Sequence, residues 1–428
     1  SVYHAHISKA PGWRPSFRYW SPWVSLLGAT MCFVSMFMVD WALAIVTIIC
    51  SIGLFQYVVH LKPDVNWGDS GVAHCQKQAV EAIYRMERLK DHVKNYRPQF
   101  LLLTKDPKND TDIISMTERL KKTRGMFLIG RVLIGDMHDE ETFKAMEVAR
   151  KDVVLLHDEI IAILQVICAP TLLSGVESLL QLAGFGKLKP NTVLIGYKES
   201  WRTSSDEELK EYIQILRSCF ATKHAVCILR NSSVALNYVP AEVAVVFNNG
   251  ENLYSPEIPK GHIDVWWLIE DGGLIFLLAY LMSRHREYRG DCELRLFGLI
   301  SVNATPDEIS REKERLNALL SRFRFAATLI LVQHDIIPAE HEVHKFSDLS
   351  GTELNLETMS DETRTILNLS THLKHYSSHA HVVMVSLPVP KTTYDDRVYF
   401  AYMEMLSCTG RPTFLARGNQ QTVLSIHS

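Results

Sequence analysis

Between Trp23 and Leu61 the chain has little choice of environment. Trp23 to Val39 is an unbroken apolar run, Asp40 interrupts it, and Trp41 to Val59 resumes it. Each run is roughly 17 to 19 residues, about the minimum that crosses a bilayer's hydrocarbon as a helix. A soluble core helix rarely stays apolar on every face for so long. Two membrane spans over 23–61 are therefore expected, with Asp40 at the turn between them. The competing reading is one buried helical hairpin in a soluble protein. Lys9, Arg14 and Arg18 precede the first span and Lys62 follows the second, so both ends are expected in the cytosol. The chain begins at Ser1 without a Met, and nothing before Trp23 reads as a signal peptide. A longer product with an upstream part fits that start.

Past the spans the character changes. With 428 residues the chain can hold two or three domains with full cores. A net charge of −3 gives no bias toward nucleic acid, and none is expected as a partner. The eight cysteines show no CxxC and no matched spacing, which reads as reduced thiols in a cytosolic compartment. From about Ser70 to Lys94 the pattern is helical and amphipathic, with Val72, Ala79, Ile83 and Met86 along one stripe. A connecting helix over 62–98 could pair with a copy of itself, or pack only on its own domain.

From Gln99 onward, strand-length apolar runs alternate with helical stretches: Phe100 to Thr104, Met126 to Ile134, Gln165 to Ala169, Thr192 to Tyr197 and Ala225 to Leu229 are strands. Ser204 or Ser205 caps a helix over Asp206 to Phe220. Such alternation implies a parallel sheet covered by helices on both faces. The stretch 238–261, rich in Pro, Asn and Gly, reads as a linker. A second alternating block over 262–428 has similar lengths and order, which points to two related lobes, 99–237 and 262–428. Inside it, 338–361 is polar and weakly patterned and reads as a mobile insertion.

Chemistry-bearing motifs are few. Gly184 and Gly186 form a GxG, but it follows a helix and precedes a strand, the reverse of a dinucleotide fingerprint. It reads as a helix C-cap. Asp271, Gly272 and Gly273 lie between a strand and a helix, where free N–H groups could hold an anion, or could simply make a turn. His334, His341 and His344 with Asp335 and Glu342 lack the HExxH spacing and read as solvated loop rather than metal ligands. No GxSxG elbow or Cys/His pair converges, so an enzyme is not expected, and no cofactor is assigned.

Longer strings carry a family resemblance. Ala10-Pro11-Gly12-Trp13-Arg14-Pro15-Ser16-Phe17 before the first span and Lys62-Pro63-Asp64-Val65-Asn66-Trp67-Gly68 after the second resemble cation–chloride cotransporters. So do Asp264-Val265-Trp266-Trp267 leading to Asp271-Gly272-Gly273, and Arg417-Gly418-Asn419-Gln420 near the end. The last string and Leu320-Ser321-Arg322-Phe323-Arg324 are closer to the sodium-coupled branch. The resemblance covers essentially the whole chain. It implies a cytosolic loop over 1–22, the last two membrane helices over 23–61, a dimerisation helix within 62–98, and two α/β lobes resembling universal stress proteins. It further implies a regulatory C-terminal portion of a multi-pass plasma-membrane transporter, moving chloride with sodium and/or potassium as a homodimer among membrane lipid. It leaves room for regulatory kinases as partners. Its ion sites are expected in membrane helices outside this chain, so no transport residue is carried over. A second expectation from another class is a membrane-tethered, stress-protein-like sensor that binds a nucleotide.

Overall fold

The computed structural model describes residues 21–61, 70–107, 109–121, 125–151, 162–230, 261–268, 273–285, 288, 292–323, 325–334, 337–352 and 359–419. Residues 1–90 form one compact unit and residues 91–428 a second.

In the first unit, α1 (Pro22–Val39) and α2 (Trp41–Leu61) contact each other, and α3 (Ser70–Arg88) follows. Asp40 accepts hydrogen bonds from the Ala42 and Leu43 backbone N–H groups at 2.9 and 3.3 Å. The one charge in the apolar stretch thus caps α2, satisfying donors that lack intrahelical partners. Trp41–Val58 is long and apolar enough to cross a membrane, and almost none of it is covered by protein. Trp23–Val39 is a shorter apolar helix. At 1.5 Å per residue it reaches roughly 26 Å, a little under the ~30 Å hydrocarbon thickness. In α3, Val72, Val80 and Tyr84 are all exposed.

The second unit is built on one ten-stranded sheet. Its first half contains β1 (Phe100–Leu103), α4 (Thr111–Leu120), β2 (Phe127–Ile134), α5 (Glu140–Lys151) and β3 (Ile163–Ala169). It continues with α6 (Leu172–Leu182), β4 (Thr192–Gly196), α7 (Asp206–Ala221) and β5 (Ala225–Arg230). The second half runs β6 (Gly261–Trp266), α8 (Leu274–Ser283), β7 (Cys292–Ser301), α9 (Pro306–Phe323) and β8 (Thr328–His334). After these come α10 (Glu340–Ser350), α11 (Asp361–Tyr376), β9 (Val382–Ser386), α12 (Asp396–Ser407) and β10 (Thr413–Arg417). The strand order is β3-β2-β1-β4-β5-β10-β9-β6-β7-β8. Every pairing is parallel except β5 with β10. The two expected lobes therefore share one sheet, joined edge to edge by an antiparallel seam.

Register makes the internal repeat residue-specific. Leu103 pairs with Ile195 in the first half, and Trp266 with Val385 in the second. The β2–β3 ladder ends on Ile134 with Ala169, and β7–β8 on Ser301 with His334. Gly196 pairs with Leu229, and Ser386 with Ala416. Across the seam Arg230 faces Thr413 and Arg417 faces Val226, so a pseudo-two-fold axis exchanges Arg230 with Arg417.

Buried strands explain the continuous apolar runs, because both faces are covered. Leu101, Val193 and Val385 face α6, α7, α11 and α12, while Phe100, Leu102 and Val265 face α4 and α8. Helices begin at side-chain caps: Ser205, one of the two expected serines, accepts from Glu208 N–H, and Ser360 and Asp395 accept likewise from Thr363 N–H and Arg397 N–H. Gly184 ends α6 at φ +96°, a left-handed C-terminal position that favours glycine, as the GxG reading implies.

One sequence expectation fails within 338–361. Residues 340–350 are helix α10, with Glu342, Phe346 and Ser350 buried. The Phe346 ring stacks on Tyr402 of α12 at 5.3 Å, and Glu342 pairs with Lys374 of α11. Polar composition hid the helix because its buried face includes a carboxylate and a serine. The expected linker 238–261 lies outside the described residues except for Gly261, which opens β6.

Candidate functional site at the seam between the lobes

Helix α12 is apolar on nearly all sides, and Tyr399 to Ser407 are all buried. Within it stands one carboxylate, Glu404, 3% exposed. An isolated ion there would be costly, so its partners decide its state. All four come from the other lobe: Tyr197 Oη donates at 2.8 Å, Trp201 Nε1 at 3.1 Å, Arg202 at 3.0 Å, and Arg230 at 3.2 Å. Arg230 also forks onto Glu199 with two bonds of 3.1 Å, donates to Ser407 Oγ, and lies 4.6 Å from the Tyr197 ring centre. Trp201 stacks on Phe400 of α12 at 5.5 Å.

The electrostatics follow. Burial pushes the Glu404 carboxyl up, but the Arg230 charge and the Tyr197 and Trp201 hydrogen bonds outweigh it and hold it below the usual range. Burial and the neighbouring Glu404 charge push the Tyr197 phenol well above its ordinary value. The centre therefore holds an ionised carboxylate and a protonated phenol at neutral pH. That arrangement suits a fixed joint between lobes rather than proton transfer. Around it, Arg397 pairs with Asp206 at 2.7 Å, and Arg217 donates to the carbonyls of Pro390 and Lys391 at 3.3 and 3.1 Å.

The family-motif residues fall in two other places. Asp264 is fully buried and held by Arg295 at 2.8 and 2.7 Å, while Arg295 also donates to the Tyr376 carbonyl. Trp266 stacks on Phe297 at 4.4 Å and donates to Ser377 Oγ at 3.0 Å. Both side chains thus anchor the end of α11 to the sheet. Trp267 sets its edge against Phe276 of α8 at 4.7 Å, and Gly273 begins that helix at φ +84°. Arg417 ends β10, Gly418 follows, and Asn419 donates to the Lys223 carbonyl at 2.7 Å. Trp13, Pro15, Pro63, Asn66, Trp67, Gly68, Asp271 and Gly272 lie outside the described residues. Among the described residues no group of three His, Cys, Asp or Glu is placed to hold a metal. Sequence reasoning missed Glu404. The available signal was a lone carboxylate inside the apolar stretch Tyr399 to Leu406, a position that demands partners from elsewhere in the fold.

Comparison with known proteins accounts for both units. The family model "Solute carrier family 12" matches residues 111–242 and 242–428, and the model "Amino acid permease" matches residues 1–102. Solute carrier family 12 member 2 of Homo sapiens is 28% identical over 526 aligned positions, covering 100% of this chain and 43% of that protein. Member 1 of Rattus norvegicus is 29% identical, with 100% and 47% covered, and member 3 of Mus musculus is 31% identical, with 100% and 46% covered. The chain thus spans less than half the length of these relatives. Among solved structures, the cytoplasmic domain of a prokaryotic cation chloride cotransporter aligns at TM-score 0.45 and 11% identity, covering 77% of this chain and 98% of that one. A universal stress protein from Pseudomonas aeruginosa aligns at TM-score 0.37 and 8% identity, covering 77% and 96%. Both families matched are multi-pass membrane proteins, and solute carriers are transporters rather than enzymes. With more than half of its length matched by one family model, the chain belongs to solute carrier family 12, the cation–chloride cotransporters.

Proposed function

We propose that this chain is the C-terminal regulatory and dimerising portion of an electroneutral cation–chloride cotransporter that moves chloride with sodium and/or potassium. The observation that carries the reading is the succession along one chain: a permease-like segment with an uncovered apolar helix, then a two-lobed body matched to solute carrier family 12. In this reading 1–22 is cytosolic, 23–61 holds two spans of a plasma-membrane transporter, 62–98 connects, and the lobes 99–237 and 262–428 are cytosolic. Leu320 to Arg324 and Arg417 to Gln420 favour the sodium-coupled branch.

Dimerisation is assigned to α3. Val72, Val80 and Tyr84 are exposed while Ile83 and Met86 are half-buried, and an amphipathic helix of this kind is stabilised when a second apolar stripe covers it. Sedimentation of the detergent-purified chain is expected to give a dimer, and Val80→Asp with Ile83→Asp is expected to give a monomer. A wild-type chain that stays monomeric at every accessible concentration removes the dimerising role.

A further inference from the structure

Three turns meet at the end of the first lobe where β1, β4 and β5 begin. Phe100, Thr192 and Ala225 stand in one row of the sheet, so the residues ahead of them emerge side by side, about 5 Å apart from strand to strand. Thr192 N–H donates to the Gln99 carbonyl at 3.1 Å, Ala225 N–H to the Asn191 carbonyl at 2.9 Å, and the Asn191 side chain to the Arg97 carbonyl at 2.8 Å. These turns, 91–99, 183–191 and 221–224, carry Lys94, Arg97, Lys187, Lys189 and Lys223 against one acid, Asp91. Asp91 is taken up by Lys187 at 3.5 Å, while Arg97, Lys189 and Lys223 are exposed. At the opposite end of the strands α4, α5 and α7 open on acids: Asp112, then Glu140 and Glu141, then Asp206 to Glu208. The lobe is thus basic where its strands begin and acidic where they end.

Two large apolar side chains project at the basic end. Leu182, the last residue of α6, is 79% exposed, and Phe185 is 66% exposed. Phe185 and Leu188 exchange backbone hydrogen bonds of 2.7 and 2.9 Å, and Gly184 and Gly186 on either side of Phe185 take φ values of +96° and +56°. The turn therefore fixes where the ring is presented. A helix C-terminus attracts cations, which accounts for Lys223 behind α7. It does not account for Arg97, nor for an apolar pair held in water. Cations around protruding apolar side chains suit an anionic bilayer surface, where the cations meet headgroups and the apolar groups enter the boundary with the acyl chains. The chain also enters this unit here, since Asp91 is its first residue and residues 62–90 join it to α2. A tethered patch meets its surface at high effective concentration, so a few cations suffice.

We propose that this basic end of the first lobe, with Arg97, Lys189 and Lys223 around Leu182 and Phe185, docks on an anionic lipid surface. Docking there presupposes the spans read over 23–61. Anionic lipid holds the body against the leaflet, and raised ionic strength releases it.

Hydrogen–deuterium exchange tests this on the full chain reconstituted in nanodiscs of phosphatidylcholine alone, or of equal parts phosphatidylcholine and phosphatidylserine. Backbone exchange over 183–190 is expected to be slower in the anionic discs by roughly fivefold or more, the scale of one cation held at an anionic surface. High salt is expected to remove the difference. Lys189→Gln with Lys223→Gln, and separately Leu182→Ser with Phe185→Ser, are expected to shrink it severalfold. All four side chains are exposed, and unchanged exchange over the buried strand β4 checks that the fold is kept. Equal exchange in the two lipids overturns the proposal, as does equal protection in both, which assigns the patch to a protein contact such as a second copy. A lipid-dependent difference that both double variants retain in full overturns it too. Exchange over Trp41–Val58 reads the spans separately: fast exchange there removes the spanning reading and the docking with it, whereas slow exchange there without a lipid effect at 183–190 removes the docking alone.

Discussion

At Glu404 four donors from the opposite lobe offset the cost of burying a charge, and removing that charge exposes how much each side depended on it. Glu404→Gln leaves the partly buried Arg230 facing an amide, and the expected loss is about 3–5 kcal/mol in denaturant unfolding, the scale of breaking a buried pair. Acid should act in the same direction. The folded pKa of Glu404 lies below its unfolded value, so its stabilising contribution is complete above ~4.3 and is lost as pH falls through the lower folded value. His224 adds a window at milder pH. Burial, with the Lys189 charge, lowers its pKa, so the folded protein prefers the neutral ring. Stability should fall as pH drops below ~6.5, where the unfolded chain takes up the proton first. His224→Gln is expected to flatten the pH–stability curve there while leaving the acid limb from Glu404. At Gly184 an added Cβ would meet the Leu188 carbonyl oxygen at 2.5 Å with φ at +96°. Gly184→Ala is expected to cost at least about 1–2 kcal/mol by the same unfolding measurement.

Among the elements, α10 has no counterpart in the first lobe, where β3 leads straight into α6. It covers α12 through Phe346, which is 1% exposed, and through Glu342, which reaches Lys374 and Ser370 of α11. Phe346→Ala is expected to destabilise the chain by about 3–5 kcal/mol, whereas a solvated loop there would tolerate the change. That contrast marks the limit of reading this fold from sequence. Strands such as Phe100–Leu103 and Val382–Ser386 were legible because burial on both faces writes uninterrupted apolar runs, and Ser205 announced α7 through its acidic first turn. The pairing of β5 with β10 was not legible, because nothing local in Ala225–Arg230 or Thr413–Arg417 records which edge each strand meets. Glu404 stayed hidden for the same reason: its partners Tyr197, Trp201 and Arg230 are distant in sequence and adjacent only through that seam. The motif residues Asp264 and Trp266 were found by resemblance, yet their contacts with Arg295 and Ser377 serve to fix α11.

For the molecule as a whole, the antiparallel seam makes two five-stranded lobes into one continuous sheet, with β5 against β10 and α7 against α12 at the junction. That two-lobed body belongs to a chain with an apolar helix long enough to cross a membrane. The most direct test is cation uptake by the complete protein, with this chain in place, expressed in cells with low background transport. Uptake of radioactive rubidium, of sodium, or of both is expected to require external chloride, to fall when chloride is replaced by an impermeant ion, and to generate no current. Uptake that persists unchanged after chloride replacement, or that carries net charge, contradicts the account.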